Sequence, residues 1–369
     1  MGTDLNLTPH ESIIDNDSTI RYEPFRPFRG GYNRQHGTGI MNLLTSLIAV
    51  LILTLLALGV SSSAGLTYLL TVVIPYAAFA VFIVGFVYRI VQWAKAPVPF
   101  RIPTTCGQEK SLPWIKREAL DNPSCLCGVI GRMALEVLLF RSLFRNTTVS
   151  MQQKRPIYDS AKWLWFFGLL FHWSLLIIVI RHLRFFIEPI APWINGLSSV
   201  DGFFQSGIPT LYLSDAAVLA GLTFLFLRRV VSPRLRYISI FTDYFSLLLI
   251  LGAVTTGLLM RHFFPVDLLQ VKNLAMGWVT FSPVRAEGVG TLFYIHLCFV
   301  FTLMIWFPMS KLMHMGGVFL SPTRNLANNN RMKRHINPWN APVKVHTYEE
   351  YEDDFRDKMK LAGLPVDKE

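Results

Sequence analysis

The chain has 369 residues, 52% of them hydrophobic and only 16% charged, and its mean hydropathy is +0.38; soluble proteins carry about a quarter charged residues, so an ordinary soluble domain is excluded. Its net charge of +11 would suit nucleic acid, but 30 of the 35 Lys and Arg fall in an N-terminal arm and in residues 89–162, 228–236 and 311–369, while 61–65 and 188–210 hold none. Such sorting is the signature of membrane topology under the positive-inside rule and excludes nucleic-acid binding as the source of the charge.

The chain opens with a polar arm, 1–39, too long and too poorly organised for the charged start of a cleaved signal peptide, so it is expected in the mature chain. Stretches long and apolar enough to cross a bilayer follow at 40–60, 66–88, 163–180, 208–227, 237–260 and 288–310. The expected fold is all-α: a polytopic membrane bundle of about six helices, two in 40–93 and a four-helix core in 161–315. Both termini and the loop 94–160 are expected on the cytoplasmic side of the inner membrane, with a cytoplasmic tail at 316–369. Within the loop, 131–145 mixes apolar and basic residues at helical spacing, as expected of a segment lying on the membrane or against a partner. In the tail, 348–360 has the mixed charge of a solvated helix or docking segment.

Of nine histidines, His10, His36, His335 and His346 lie in polar tails and His262 at a helix end. The remaining four, His172, His182, His296 and His314, fall two and two on the third and sixth spans. A low-spin haem iron takes two axial imidazoles from opposite faces, and neighbouring helices can clamp the ring between them. His172 and His182 are ten residues apart and His296 and His314 eighteen, rises of about 15 and 27 Å on ideal helices. Because the two spans run antiparallel, His182 pairs with His296 in the outer half of the membrane and His172 with His314 in the inner half. Eighteen residues make five whole turns, whereas ten leave the side chains about 80° apart, so a tilted or bent helix is implied. Hydrogen-bonding histidines in a haem-free transporter or anchor are the alternative from another class.

Arginines at the helix ends suit haem propionates, Arg228 and Arg229 for the inner haem and Arg181 and Arg261 for the outer. Asp243, inside the fifth span, either orients a ligand histidine or pairs with a cation such as Arg236, the second being favoured. Asp215 reads as a residue of a helix N-terminus. Cys106, Cys125 and Cys127 sit in the cytoplasmic loop, where a disulfide is not expected and three thiols cannot complete a four-thiolate cluster. Cys298 reads as packing, and Trp163, Trp165 and Trp173 as interface anchors or haem packing.

The ten and eighteen spacings resemble those of the nitrate reductase gamma subunit (NarI-like) family of dihaem cytochromes b. The loop stretches TTCGQEKSLPWIK, LDNP and RMALEVLLFRSLFRNT are similar to the DsrM-type and HmeC-type branch of that family. This resemblance, covering roughly 66–315, implies two b haems and a menaquinol or menaquinone site beside the outer haem. It also implies a DsrK-like cytoplasmic iron–sulfur subunit and further DsrMKJOP-type subunits, including a periplasmic cytochrome c, in sulfur and sulfate metabolism. Carried onto this chain, His172 and His314 match the ligands of the cytoplasmic haem, and His182 and His296 those of the outer one. The quinone would lie near His182, where Arg181, Arg184, Arg261, His262 and Lys272 are the available polar groups. A nitrate reductase gamma-type quinol oxidase is the other reading within the family.

Overall fold

A computed structural model describes residues 10–13, 21–24, 31–96, 107–152, 155–202, 210–284, 288–329 and 346–368. His335, Cys106 and Arg285, and the side chains of His10 and His36, lie outside the described residues. The protein is an all-α membrane bundle. Its only sheet among the described residues is two short antiparallel ladders, His10–Ile13 with Arg21–Pro24 and Thr147–Gln152 with Arg155–Ser160.

Helices α1 (Gly31–Ser61), α2 (Ala64–Lys95) and α3 (Leu126–Leu139) come first. Then follow α4 (Lys162–His182), α5 (Pro192–Asp201), α6 (Leu213–Val231), α7 (Phe241–His262), α8 (Leu268–Val279), α9 (Thr291–Trp306) and α10 (Tyr348–Leu361). Five of these helices are long and apolar enough to cross a bilayer: most of α1, α2, α4 with the turn after it, α7, and α9 with the turn after it. The sixth expected span, α6, carries three charges, Asp215 in its first turn and Arg228 and Arg229 in its last, so its ends are charged with the polarity that the helix dipole favours. The short α5 and α8 lie where the sequence reading expects loops. The fifth span starts at Phe241 instead of 237, because Pro233 opens a separate short helix, Pro233–Ile238.

The described residues fall into two compact units, one within Met1–Phe86 and Leu139–His314, the other within Val87–Leu138 and Met315–Glu369. In the first, α4 lies along α6, α7 along α9, and α1 against both α7 and α9. Glycines set two of these approaches. A Cβ on Gly221 of α6 would stand 2.9 Å from Phe171 Cβ of α4, and one on Gly252 of α7 would stand 2.8 Å from the Phe299 ring of α9. The core between them is apolar, with Leu249, Ile295 and Phe299 in one cluster and Phe171, Val218, Leu222 and Ile250 in another. Leu44, Ile48, Leu51 and Leu55 of α1 face outward, as lipid contact requires. In the second unit, α10 opens with a reciprocal Thr347–Glu350 capping box. Its buried Glu352 accepts from the backbone N–H of Asp367 and of Lys368, each at 2.8 Å.

Candidate functional site

Helix α4 is continuous through both of its histidines, with His182 as its final residue. The last span is not continuous. Its regular helix ends at Trp306, because Pro308 has no N–H to extend the ladder and its ring crowds the preceding turn. Two tight 3₁₀ turns follow, Phe307–Met309 and Lys311–Met313, separated by extended Ser310, whose hydroxyl accepts from Leu312 N at 3.2 Å. His314 therefore stands on a short turn beyond the break and not on an eighteenth residue of uninterrupted helix. The rise of about 27 Å expected for the pair His296 and His314 is corrected accordingly, and the implied bend sits at Pro308 to Ser310.

The break lets His314 meet His172. Their ring centroids are 5.9 Å apart and their planes cross at 84°. Two imidazole nitrogens held at about 2 Å on either side of one metal place the ring centres roughly 6 Å apart, so this pair fits axial coordination. All four histidines share a local geometry. Nδ1 lies 2.7 Å from Gly168 O in His172, 2.7 Å from Ile178 O in His182, 3.0 Å from Ala253 O in His296 and 2.8 Å from Lys311 O in His314. A carbonyl can only accept, so Nδ1 carries the proton and Nε2 keeps its lone pair, the arrangement of a metal-binding imidazole. His296 lies within electrostatic range of His182. No three His, Cys, Asp or Glu side chains converge on a metal site among the described residues. Pairs of imidazoles suit a cofactor that brings its own equatorial ligands, as a porphyrin does, better than a bare ion that needs about four protein ligands.

The arginines divide. Arg181, buried in α4, pairs with Asp201 at 2.6 Å and Asp215 at 3.4 Å and donates to Ser214 Oγ at 2.9 Å. Tyr212 is packed between Arg181 and Arg261, whose guanidinium carbons stand 3.4 and 4.2 Å from its ring centre. Burial raises the Tyr212 phenol, but the hydrogen bond from Arg184 and the charges of Arg261 and Arg181 outweigh it and leave it below its ordinary value. Arg261 donates to Thr210 O at 3.1 and 2.8 Å, Arg184 to Arg181 O and Ser198 Oγ, and Lys272 pairs with Glu188. The buried Nε2 of His262 and Nε of Arg181 have no hydrogen-bond partner among the described residues.

At the other end, Arg229 donates to Ser239 Oγ at 2.8 Å and lies 3.4 Å from Asp243, which also pairs with Lys311 at 2.8 Å. Asp243 thus has the structural role, with Arg229 and Lys311 in place of the expected Arg236, whose Nη1 reaches Val230 O. Arg228 makes no ion pair among the described residues. Cys125 and Cys127 are exposed, while Cys298 packs beside Leu53 of α1. Trp163 is exposed, in keeping with an anchor, and Trp165 Nε1 donates to Leu139 O at 2.7 Å.

Two residues beside the histidines escape a sequence reading. Phe140 sets its ring edge on against His172, centroids 5.0 Å apart, and does so from a left-handed backbone at φ 50°. Such a conformation is costly for a bulky residue, and nothing in the sequence signals it. Thr256 Oγ1 lies 3.0 Å from His296 Nδ1 and 2.7 Å from Gly252 O. The hydroxyl donates to the carbonyl and accepts from the imidazole. A buried threonine in an apolar span was the one available signal.

Comparison with known proteins gives a consistent picture. The family model described as nitrate reductase gamma subunit matches residues 128–334, a range that takes in all four histidines. The Hdr-like menaquinol oxidoreductase cytochrome b-like subunit of Archaeoglobus fulgidus is 45% identical over 275 residues, covering 73% of this chain and 82% of that protein. Its counterpart in Archaeoglobus profundus is 42% identical over 273 residues, covering 72% and 81%.

Proposed function

The chain belongs to the nitrate reductase gamma subunit family, and from that premise we propose that it is the dihaem cytochrome b subunit of an Hdr-like, DsrM-type complex. In this reading it carries electrons between menaquinol and a cytoplasmic iron–sulfur subunit in dissimilatory sulfur or sulfate metabolism. One observation carries the reading: four histidines, two on α4 and two along the last span and the turn after it, each hold Nδ1–H on a backbone carbonyl and keep Nε2 for a metal. His172 and His314 would hold one b haem and His182 and His296 the other. When bound, the haems supply one-electron transfer between a two-electron quinol and the iron–sulfur partner.

The protein's own part is orientation and charge. Arg228, which makes no ion pair among the described residues, is assigned to an inner propionate, while Arg229 is shared with Asp243. At the opposite end Arg181 is already neutralised by Asp201 and Asp215, so Arg261 is the better outer candidate. Of the polar groups expected around a quinol there, Arg181 Nε and His262 Nε2 are buried with no hydrogen-bond partner among the described residues; Arg181 is already held by its carboxylates, and His262 is the group we assign to hold a quinol hydroxyl and its proton. The charge sorting supports a cytoplasmic location for both termini and the loop 94–160; in this reading protons leave on the outer side.

Redox-titrated spectra of the purified complex test this. Wild type is expected to show two b haems, and His172→Ala and His182→Ala to lose one each while retaining the other. Unchanged spectra in both variants, or no haem in the wild type, would overturn the cytochrome reading in favour of a haem-free membrane protein.

A further inference from the structure

Helix α3 has its polarity reversed. Its two charged residues turn inward: Arg132 donates to the carbonyl oxygens of Asp121, Arg324 and Leu326 at 2.9, 2.5 and 3.0 Å, and Glu136 pairs with Arg324 at 3.3 Å. The face turned outward is apolar. Leu126, Ile130, Ala134, Val137 and Leu138 follow one another at helical spacing along a single stripe, with Leu126 71% and Ile130 59% exposed. An open groove of about 450 Å³ runs beside this stripe, lined by Ile130, Met133, Val137 and Phe319.

A helix bathed in water turns its charges out and its leucines in. The reverse arrangement, continuous over three turns, belongs to a helix whose outer face meets an apolar medium. A tether to the membrane spans identifies that medium. The last residue of α3, Leu139, is hydrogen-bonded through its carbonyl to Trp165, in the first turn of the membrane span α4. Phe319, which forms the far wall of the groove, comes ten residues after the last span ends at Met309. One wall is thus tied to the start of a membrane span by a hydrogen bond, and the other follows the end of the last span by ten residues. Burying Arg132 under three carbonyls also removes the charge that would otherwise hold this face in water.

We infer that the apolar stripe of α3 is an in-plane membrane anchor, seated in the lipid–water boundary with its side chains among the upper acyl carbons. This rests on the membrane fold alone and is independent of the haems. It turns the two expectations for residues 131–145, a membrane surface or a partner, into one.

The test is depth-resolved fluorescence quenching on the complete complex in phosphatidylcholine liposomes. Ile130→Cys is labelled with bimane after Cys106, Cys125, Cys127 and Cys298 are replaced by serine, and Asp357→Cys on the charged helix α10 serves as the aqueous control. Lipid doxylated near the headgroup should quench the label at Ile130→Cys and aqueous iodide should not, with the reverse at Asp357→Cys. Leu138→Cys, two turns along the same stripe, gives the same reading if the first variant fails to assemble. Iodide quenching at both stripe positions would overturn the inference. So would protection from both quenchers that is lost when the other subunits are stripped away, since the stripe would then be a protein-docking face.

Discussion

The two ends of the histidine-bearing bundle solve the same problem with different materials. Where His172 meets His314, support comes from backbone carbonyls, an aromatic edge from Phe140 and a helix broken at Pro308, and Arg228 makes no ion pair among the described residues. Where His182 and His296 lie, a threonine hydroxyl backs one imidazole, and Arg181, Asp201, Ser214, Asp215 and Tyr212 form a buried network. The difference teaches where the protein has balanced its own charge. The second end has its electrostatics organised by folding, because a buried guanidinium is tolerated only with its carboxylates in place. The first end keeps a cation available for an incoming anion, such as a propionate.

Substitutions can break or sharpen this contrast. The largest effect is expected from Asp201→Ala, which strips Arg181 of its closest partner and should destabilise by about 3–5 kcal/mol. Lys311→Ala, at the other end, removes a cation that is 70% exposed and should change stability by less than about 1 kcal/mol. Thermal unfolding of the purified protein measures both, and equal losses would erase the distinction. Next comes Gly221→Val, which forces α6 off Phe171 beside His172 and should cost about 1–3 kcal/mol by overpacking. Haem content read from reduced-minus-oxidised spectra should fall first at the His172 and His314 pair; an equal fall at both pairs would mean that α4 shifts as a rigid rod.

A smaller effect isolates the strain at Phe140. Phe140→Ala and Phe140→Gly both remove the ring from His172, but only glycine adopts the left-handed backbone without strain. The glycine variant should therefore be the more stable of the two by about 1 kcal/mol in a thermal or denaturant melt. Smallest in stability is Thr256→Val, which removes one of two acceptors at His296 Nδ1 and should cost less than about 1.5 kcal/mol. Its stronger readout is electrochemical. With less electron density on His296, the haem there should titrate at a higher potential while the other is unmoved. A shift of both, or of neither, would remove Thr256 from the support of that ligand.

Much of this was legible along the chain. Five of the six expected spans, the sorting of basic residues and the doubling of histidines on the third and last spans follow from hydropathy and spacing, which are local properties. The mismatch of ten and eighteen residues implied a tilt or a bend. Its place was not announced, because Pro308 could have been accommodated as a kink within the span; only packing decides that the chain restarts at Ser310. Asp243 was readable as a paired carboxylate but not as the partner of Arg229 and Lys311, which come from different segments. Asp201 gave no signal at all, since its importance depends on Arg181 standing opposite it.

The sequence by itself determined an all-α membrane bundle, the order of its helices and which histidines could serve as ligands, because burial in hydrocarbon demands long apolar helices and leaves few permissible polar residues. Tertiary structure alone decided which arginines were spent on internal carboxylates, which carbonyl or hydroxyl orients each imidazole, and that α3 turns its charges inward. Those choices rest on distances of about 3 Å between groups far apart in the chain, and hydrogen bonds and ion pairs lose their force over a single ångström of misplacement.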